Sequence, residues 1–565
     1  MSQLIEIMKN RQSSAGACIA RMLLILTLLG MLIWLLDRIT PTQVVAATQT
    51  RLACVSYAPF RDSSHSPFDP KLIISRESIR SDMQQLAKIT DCVRTYGLDH
   101  GLDAVPDVAR ELGMRVILGA WISRDPVANQ IQIEKAIDLS HSHADVITLM
   151  VIGNEVLLRQ ELSAAQLANL LSEVKQKSLV PITYADVWEF WLRHAPILQA
   201  HVDIVAVHIL PYWEDDPVHI KDAVAHVHQI YSKMEAQLGP MPVLVAETGW
   251  PAAGRPRGPA VPSTVNQNRF VRDLLSAPYP GRVQSHWAFP SLISGAEGKI
   301  SLPFNLIEGF DQPWKRRLEG AMGGAWGFFS SERTQRIQFE GSVVEDLSAG
   351  WALACGLIFG CIPLVVSGLR RRKLGVMTAG DGLSDTASGA AIGAVTHSVA
   401  IMAWSLIGML LVLQLQALLL WNQTLGEWAS AGAIMALGLG LSLTAALGLQ
   451  TRSEFIHHSA LFSVLHFAWL CVLLEMVLAL LIDGRYRPLP WATVLGPAVL
   501  LLGLSLMSDP LPRSQRYLSA GLASCTPLIM VVEGPHNIQA WLLTALLLLT
   551  ATAGLVPKRF QHHPG

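Results

Sequence analysis

The chain has 565 residues, too many for one ordinary domain, and calls for two or three. Its 43 basic and 44 acidic side chains leave a net charge of -1, without the basic excess of a nucleic-acid binder. Charged residues make up only 15% and hydrophobic ones 51%, which excludes a disordered or collagen-like chain and places part of it in lipid.

Residues 1–21, with Lys9, Arg11 and Arg21, precede the apolar run MLLILTLLGMLIWLL from Met22 to Leu36. A basic flank before such a run reads as a signal peptide, with a small-residue site near Val45-Ala46-Ala47, or as an uncleaved anchor. The long start and the further apolar segments favour an anchor over 22–38. Either reading exports the segment after it.

From about 40 to 340 the sequence is mixed in polarity. Eight β-rich runs appear in order: LACVSYA, CVRTYG, RVILGAW, VITLMVIGNE, PITYADV, DIVAVHI, PVLVAETGW and FNLIEGF. Between them, stretches 75–90, 128–143, 163–178, 217–237 and 264–276 space apolar residues as helices do. Strand–helix units of this number and length predict an α/β fold, a (β/α)8 barrel. An open doubly wound sheet is the alternative, but no glycine-rich phosphate loop follows the first strand. Region 277–302 is long and poorly patterned, and leaves His286 and Trp287 unplaced. Cys54 and Cys92 fall in or beside adjacent strands, where they can pair or remain buried thiols; no CxxC pair points to zinc.

Beyond Gly350 apolar runs recur near 350–368, 398–420, 429–450, 459–482, 490–507, 517–532 and 537–556. Each is near the ~20 residues that cross a bilayer. An all-α membrane domain of about seven helices over 349–557 is expected, with a tail at 558–565. With the N-terminus inside, the cytoplasmic loops hold Arg370, Arg371, Arg372, Lys373, Arg452, Arg513, Arg516, Lys558 and Arg559. The outer loops of this half hold only Arg485 and Arg487, so the positive-inside rule puts both termini inside and the barrel outside. Glu475 lies mid-span, and His466, nine positions earlier, falls on the opposite helix face. No DxD with QxxRW is present, which speaks against polymerisation from a nucleotide donor.

Two strands end in a carboxylate after a fully apolar run: the fourth in Asn154-Glu155 and the seventh in Glu247-Thr248-Gly249-Trp250-Pro251. Burying a carboxylate is costly unless it is paired or used, and a pair facing across a barrel mouth is the minimal machinery for glycoside hydrolysis. The plainer reading is a supporting hydrogen-bond network or an ion pair with a strand-end arginine such as Arg94; Arg94 equally suits stabilising an ionised Glu247. Tyr96, His208, Tyr212 and Trp213 sit at or just past strand ends, where they bind sugar or pack under loops. Glu308 and Asp311 offer hydroxyl acceptors, and Trp250 and Trp314 offer stacking faces. Arg255 and Arg257 lie in a Pro/Gly-rich loop that forms a subsite wall or is simply solvated.

The segments VRTYG (93–97), VIGNEVLLR (151–159), VLVAETGWP (243–251) and FDQPWK (310–315) resemble glycoside hydrolase family 17, the β-1,3-glucanases and glucanosyltransferases. The resemblance covers about 52–330 and implies a retaining (β/α)8 enzyme with Glu155 as general acid/base and Glu247 as nucleophile. It further implies Asn154 at the sugar 2-hydroxyl, with no metal and no cofactor. The stretch PAAGRPRGPAVPSTVNQNRF (251–270) with FNLIEGFDQPWKR is similar to the bacterial members linked to periplasmic cyclic β-1,3/1,6-glucan synthesis. That similarity implies a glucanosyltransferase of the inner membrane, its catalytic domain in the periplasm. Its partners would be β-glucan oligosaccharide or polymer, membrane lipid and a separate glucan synthase. An endo-β-1,3-glucanase, or a glucan export scaffold with a binding-only barrel, stand as alternatives.

Overall fold

The computed structural model describes residues 2–62, 64–277, 304–377, 387–451, 460–506 and 512–555, in two compact units. One is Thr42–Val343; the other joins Met1–Pro41 to Val344–Gly565.

The first unit is a closed barrel of eight parallel strands in sequential order. These are β1 (Val55–Ser56), β2 (Cys92–Arg94), β3 (Arg115–Ala120), β4 (Ile147–Asn154), β5 (Ile182–Val187), β6 (Val205–His208), β7 (Val243–Thr248) and β8 (Phe304–Leu306). β8 closes on β1 through Leu306 and Val55. Every apolar run read as a strand is one.

The expected helices form at Arg76–Leu86, Pro126–Ser142, Ala164–Lys177, Ala223–Leu238 and Thr264–Ser276. Side chains start several of them. Ser75 accepts from the Ser78 N–H, Asp125 from Val127 and Ala128, and Ser263 from Asn266. Ser163 and Gln166 make a reciprocal capping box. Each such cap is worth about 1 kcal/mol. Two helices were not expected, Val105–Leu112 and Trp188–Leu198. The second carries Pro196; the first is only two turns long, too short to stand out although Val105, Val108 and Ala109 follow helical spacing and are buried.

Inward-facing side chains fill the barrel: Ile117, Leu149, Val151, Ala185, Ile204, Ala206, Leu244 and Ala246, with Cys54 and Cys92 among them. β1 and β2 run in register, so these two cysteines lie side by side and are joined by a disulfide. That settles the question the sequence left open. The chain enters and leaves the barrel through a short antiparallel ladder, Thr42–Gln43 against Ser342–Val343. Buried Arg272 ties the two ends together by donating to the carbonyls of Val44, Gln338, Glu340 and Gly341.

The second unit is helical. Among the described residues, six helices are long and apolar enough to cross a membrane: Cys18–Ile39, Ala349–Ser367, His397–Trp421, Leu425–Gly448, Ala460–Asp483 and Ile538–Leu555. Eight were expected. Trp491–Ser505 is shorter, and the run at 517–532 is divided between Arg513–Cys525 and Leu528–Glu533, with Pro527 at the break. Small residues allow close helix crossings, as membrane packing favours. A Cβ on Gly408 would lie 2.5 Å from the Cys355 carbonyl oxygen. Trp34 of the helix Cys18–Ile39 meets Trp491 edge-to-face at 5.2 Å. His466 is buried and bonded through Nδ1 to Gln515 Oε1 at 2.7 Å, whereas Glu475 is exposed on the same helix, as their spacing predicts.

Candidate active site

The site forms at the C-terminal ends of the strands, where the pairing of β4 with β5, and of β6 and β8 with β7, loses register. β4 ends in an irregular turn: Gly153 has φ +87° and Glu155 φ +54°. A non-glycine residue in the left-handed region costs about 1–3 kcal/mol, so the surroundings must hold it. They do so from both sides. The Glu155 N–H donates to the Ala185 carbonyl at 2.8 Å, and Arg159 Nη2 donates to the carbonyls of Asn154 and Ile122, both at 2.9 Å. The Arg159 guanidinium lies 4.1 Å from the centre of the Trp121 ring. From β5, the Tyr184 hydroxyl accepts the Leu157 N–H and the Asp186 carboxylate accepts the Leu158 N–H. Tyr184 also donates to Asp186.

Arg94, at the end of β2, joins both halves of the expected pair. Its Nη1 donates to Glu247 Oε1 at 2.7 Å and to the Ala246 carbonyl at 3.0 Å; its Nη2 donates to Asn154 Oδ1 at 2.6 Å. The guanidinium stands over the Tyr96 ring at 4.8 Å, and the Tyr96 hydroxyl donates to Ser56 Oγ. His208, at the end of β6, stands between the carboxylates: Nδ1 is 2.8 Å from Glu155 Oε1 and Nε2 3.5 Å from Glu247 Oε1. One oxygen of each glutamate and an imidazole nitrogen all lie within 4.8 Å of one another.

Two carboxylates and an imidazole also have the composition of a metal site. Arg94 argues against that use, because its fixed cation already occupies one face of Glu247 at 2.7 Å. The arrangement fits a carboxylate pair spanned by a protonatable ring.

The electrostatics single out Glu247 and His208. Burial pushes the Glu247 carboxyl up, but His208, Arg94 and Lys315 together hold it below its usual value. Burial pulls His208 down, and the charge of Glu247 with the bond and charge of Glu155 outweigh it, so the imidazole binds its proton more tightly than usual. Farther along, Lys315 Nζ is 3.0 Å from Glu308 Oε2. Desolvation raises Glu308 to about 7 despite Lys315. Lys315 itself is held charged, because Glu308, Glu319 and Glu247 outweigh its own burial. One ammonium faces three carboxyls, and burial raises both Glu308 and Glu319.

The structure thus gathers Glu155, Glu247, Asn154, Arg94, Tyr96 and His208 at one point, with Glu308 one ion pair away. Other residues expected at the sugar belong to the frame. Tyr212 is buried and its hydroxyl donates to the Arg255 carbonyl at 2.6 Å. Trp250 is buried, donates to the Val261 carbonyl and stacks on Phe270. Asp311 accepts from Arg336 at 2.7 Å and from the Gly327 N–H at 2.9 Å. Amphipathic side chains pack as readily as they stack on sugar, and here burial decides. Trp213 and Trp314 stay half-exposed, Trp213 under the Arg257 guanidinium and Trp314 against Phe60 and Phe68. The loop with Arg255 and Arg257 is packed: Arg255 is buried, and Arg257 donates to the Tyr212 carbonyl. His286 and Trp287 lie outside the described residues.

Sequence reasoning passed over Asp186, Tyr184, Arg159, Trp121, Lys315 and Glu319. Asp186 carries the signal that found the glutamates, a carboxylate at the end of an apolar strand. Trp121 directly follows the third strand.

Residues 54–327 match the BtgE/BtgC glycoside hydrolase domain. The probable beta-glucosidase btgE of Aspergillus fumigatus is 31% identical over 245 residues, 42% of this chain and 39% of that protein. The corresponding Aspergillus flavus protein is 30% identical over 189 residues, 32% of this chain and 31% of its own length. The chain therefore spans only about a third of the length of these curated relatives. A solved glycoside hydrolase family 17 beta-1,3-glucanosyltransferase from Rhizomucor miehei is 22% identical, with 52% of this chain and 98% of that one covered and a TM-score of 0.42.

Proposed function

We propose, from the match of its barrel unit to the BtgE/BtgC glycoside hydrolase domain, that the chain is a membrane-held, retaining β-glucan glucanosyltransferase. The observation that carries this reading is the spacing of the two carboxylates, one oxygen of each lying within 4.8 Å of the other. Retaining enzymes hold their carboxyls about 5–5.5 Å apart, whereas inverting ones leave about 6.5–9.5 Å for a water.

The environments support the proposed roles. Glu247 is buried and held ionised by Arg94, as a nucleophile must be. Glu155 has a side chain 25% exposed and is bonded to an imidazole, a group that exchanges protons; it is the acid/base. In the first step Glu155 gives its proton to the leaving oxygen while Glu247 bonds the anomeric carbon. In the second, Glu155 removes a proton from the incoming hydroxyl and the ester to Glu247 breaks. Asn154 Oδ1 is engaged by Arg94, so the amide donors remain for the sugar 2-hydroxyl.

We infer transfer over hydrolysis, with β-1,6 linkages or branches formed on β-1,3-glucan. The covalent intermediate can be taken by a sugar hydroxyl. Half-exposed Trp121, Trp213 and Trp314 offer acceptor faces that exclude water. Six helices apt to span a membrane would hold the catalyst where newly made polymer emerges from a separate synthase. The disulfide supports an oxidising compartment for the barrel, in accord with an inner-membrane protein whose basic loops stay inside. Crossings by Trp491–Ser505 and by the broken pair Arg513–Cys525 and Leu528–Glu533 would keep both termini cytoplasmic.

The test is incubation of the full chain in detergent with linear β-1,3-glucan oligosaccharides. Products longer than the donor, containing new β-1,6 bonds, support the proposal. Only shorter products, with reducing ends released in step with donor consumption, would make it an endo-β-1,3-glucanase.

A further inference from the structure

A general acid must hold a proton at the working pH, yet Glu155 is partly open to water. The protonatable group bonded to it is the buried His208 ring, 2.8 Å away. His208 is faced by groups from several strands. Glu155 comes from the end of β4, Glu247 from β7, Arg94 from β2, and Asp186 with Tyr184 from β5. Lys315, with Glu308 and Glu319, stands beyond Glu247, and Arg159 lies behind Glu155.

We propose that Glu155 and His208 hold one acid proton between them: it rests on His208 Nδ1 in the free protein and passes to Glu155 Oε1 when sugar occupies the site. This rests on the reading of Glu155 as the acid. The transfer balances simply. The Nδ1–H bond breaks and the Oε1–H bond forms, leaving a neutral imidazole and a neutral carboxyl. Glu155 then gives that proton to the glycosidic oxygen as the anomeric carbon passes to Glu247. In the second step Glu155 takes a proton from the acceptor hydroxyl and returns it to Nδ1. His208 is a positioning and proton-holding residue; it acts through Glu155.

The geometry favours this arrangement because Nε2 faces Glu247 at 3.5 Å. While Glu247 is ionised its charge keeps the proton on the ring in the free protein. Sugar that displaces water from the partly exposed Glu155 desolvates the imidazolium–carboxylate pair and favours its neutral form, with the proton on Glu155. The tightened proton binding of His208, from Glu247 and Glu155 against its own burial, agrees with a holder that keeps its proton to higher pH than an ordinary imidazole does.

Two measurements test the proposal on the full chain in detergent. In protein with 15N-labelled histidine, the His208 resonance is identified by its loss in His208→Asn. Glu155→Gln should move its titration down by about one pH unit, since a raising carboxylate is gone. In turnover of β-1,3-glucan oligosaccharides, the alkaline limb of kcat/KM should fall by about one unit in His208→Asn and again in His208→Gln, since neither amide holds a proton. A titration unmoved by Glu155→Gln, or a uniform loss of rate with an unmoved alkaline limb, would overturn the proposal. Absence of turnover by the wild type would strike the glucan reading alone, and the imidazole titration would still decide the coupling.

Discussion

Replacing Arg94 with methionine removes the cation paired with Glu247, the proposed nucleophile, while keeping most of the side-chain volume. Arg94 is 1% exposed and its bonds to Glu247 Oε1 and Asn154 Oδ1 are 2.7 and 2.6 Å. Breaking a buried ion pair from one side costs about 3–5 kcal/mol, because the remaining charge stays buried. The barrel unit has about 300 residues, and unfolding entropy near 2.1 cal/mol/K per residue then gives a Tm loss of about 5–8 °C. A second effect comes from the Glu247 carboxyl. In the wild type it is held below its usual value, so its contribution to stability and its nucleophilic form are present above the ordinary carboxylate range. Both are lost as pH falls through the lowered value. Without Arg94, burial dominates and the carboxyl titrates higher, so the acid limb of kcat/KM should move up by about one unit or more. Thermal unfolding and a pH series of oligosaccharide turnover measure the two effects separately. A folded Arg94→Met protein with an unmoved acid limb would refute the claim that Arg94 holds the nucleophile ionised.

The same structure predicts the effect of other changes. Replacing Cys54 and Cys92 by alanine opens a 38-residue loop, which should cost about 4 kcal/mol and lower the barrel's Tm by about 6 °C; a reductant-insensitive wild type would contradict this. Glu155→Gln should slow natural donors severely yet spare the first step on donors with good leaving groups, which need little protonation; equal losses on both would remove the acid role. Reporter fusions after Lys373 and at the C-terminus should both report cytoplasm, and an external signal from either would overturn the topology.

The barrel and the two glutamates were legible because each rests on a local rule. Apolar runs bounded by polar residues become strands, and a carboxylate ending such a run must be paired or used. Pairing between distant parts of the chain could not be read. Nothing in VRTYG or VLVAETGWP says that Arg94 reaches Glu247, or that His208 stands between the carboxylates. The disulfide likewise depends on the register of β1 with β2. Tryptophan misled for a physical reason. Its amphipathic ring suits both a stacking face and a core, so Trp250 and Trp314 carry the same sequence signal, although one is buried and the other half-exposed. In the helical unit, hydropathy found the runs but missed the break at Pro527.

The central claim is that Glu247 attacks the sugar and carries it as an ester. It is tested most directly by intact-mass and peptide analysis after incubation with a 2-deoxy-2-fluoro-glucosyl donor bearing a good leaving group, in which fluorine slows the breakdown of the intermediate. The wild type should gain one fluorosugar on the peptide containing Glu247, and Glu247→Gln should gain none. A label on any other residue, or steady turnover of glucan with no label, would contradict the account.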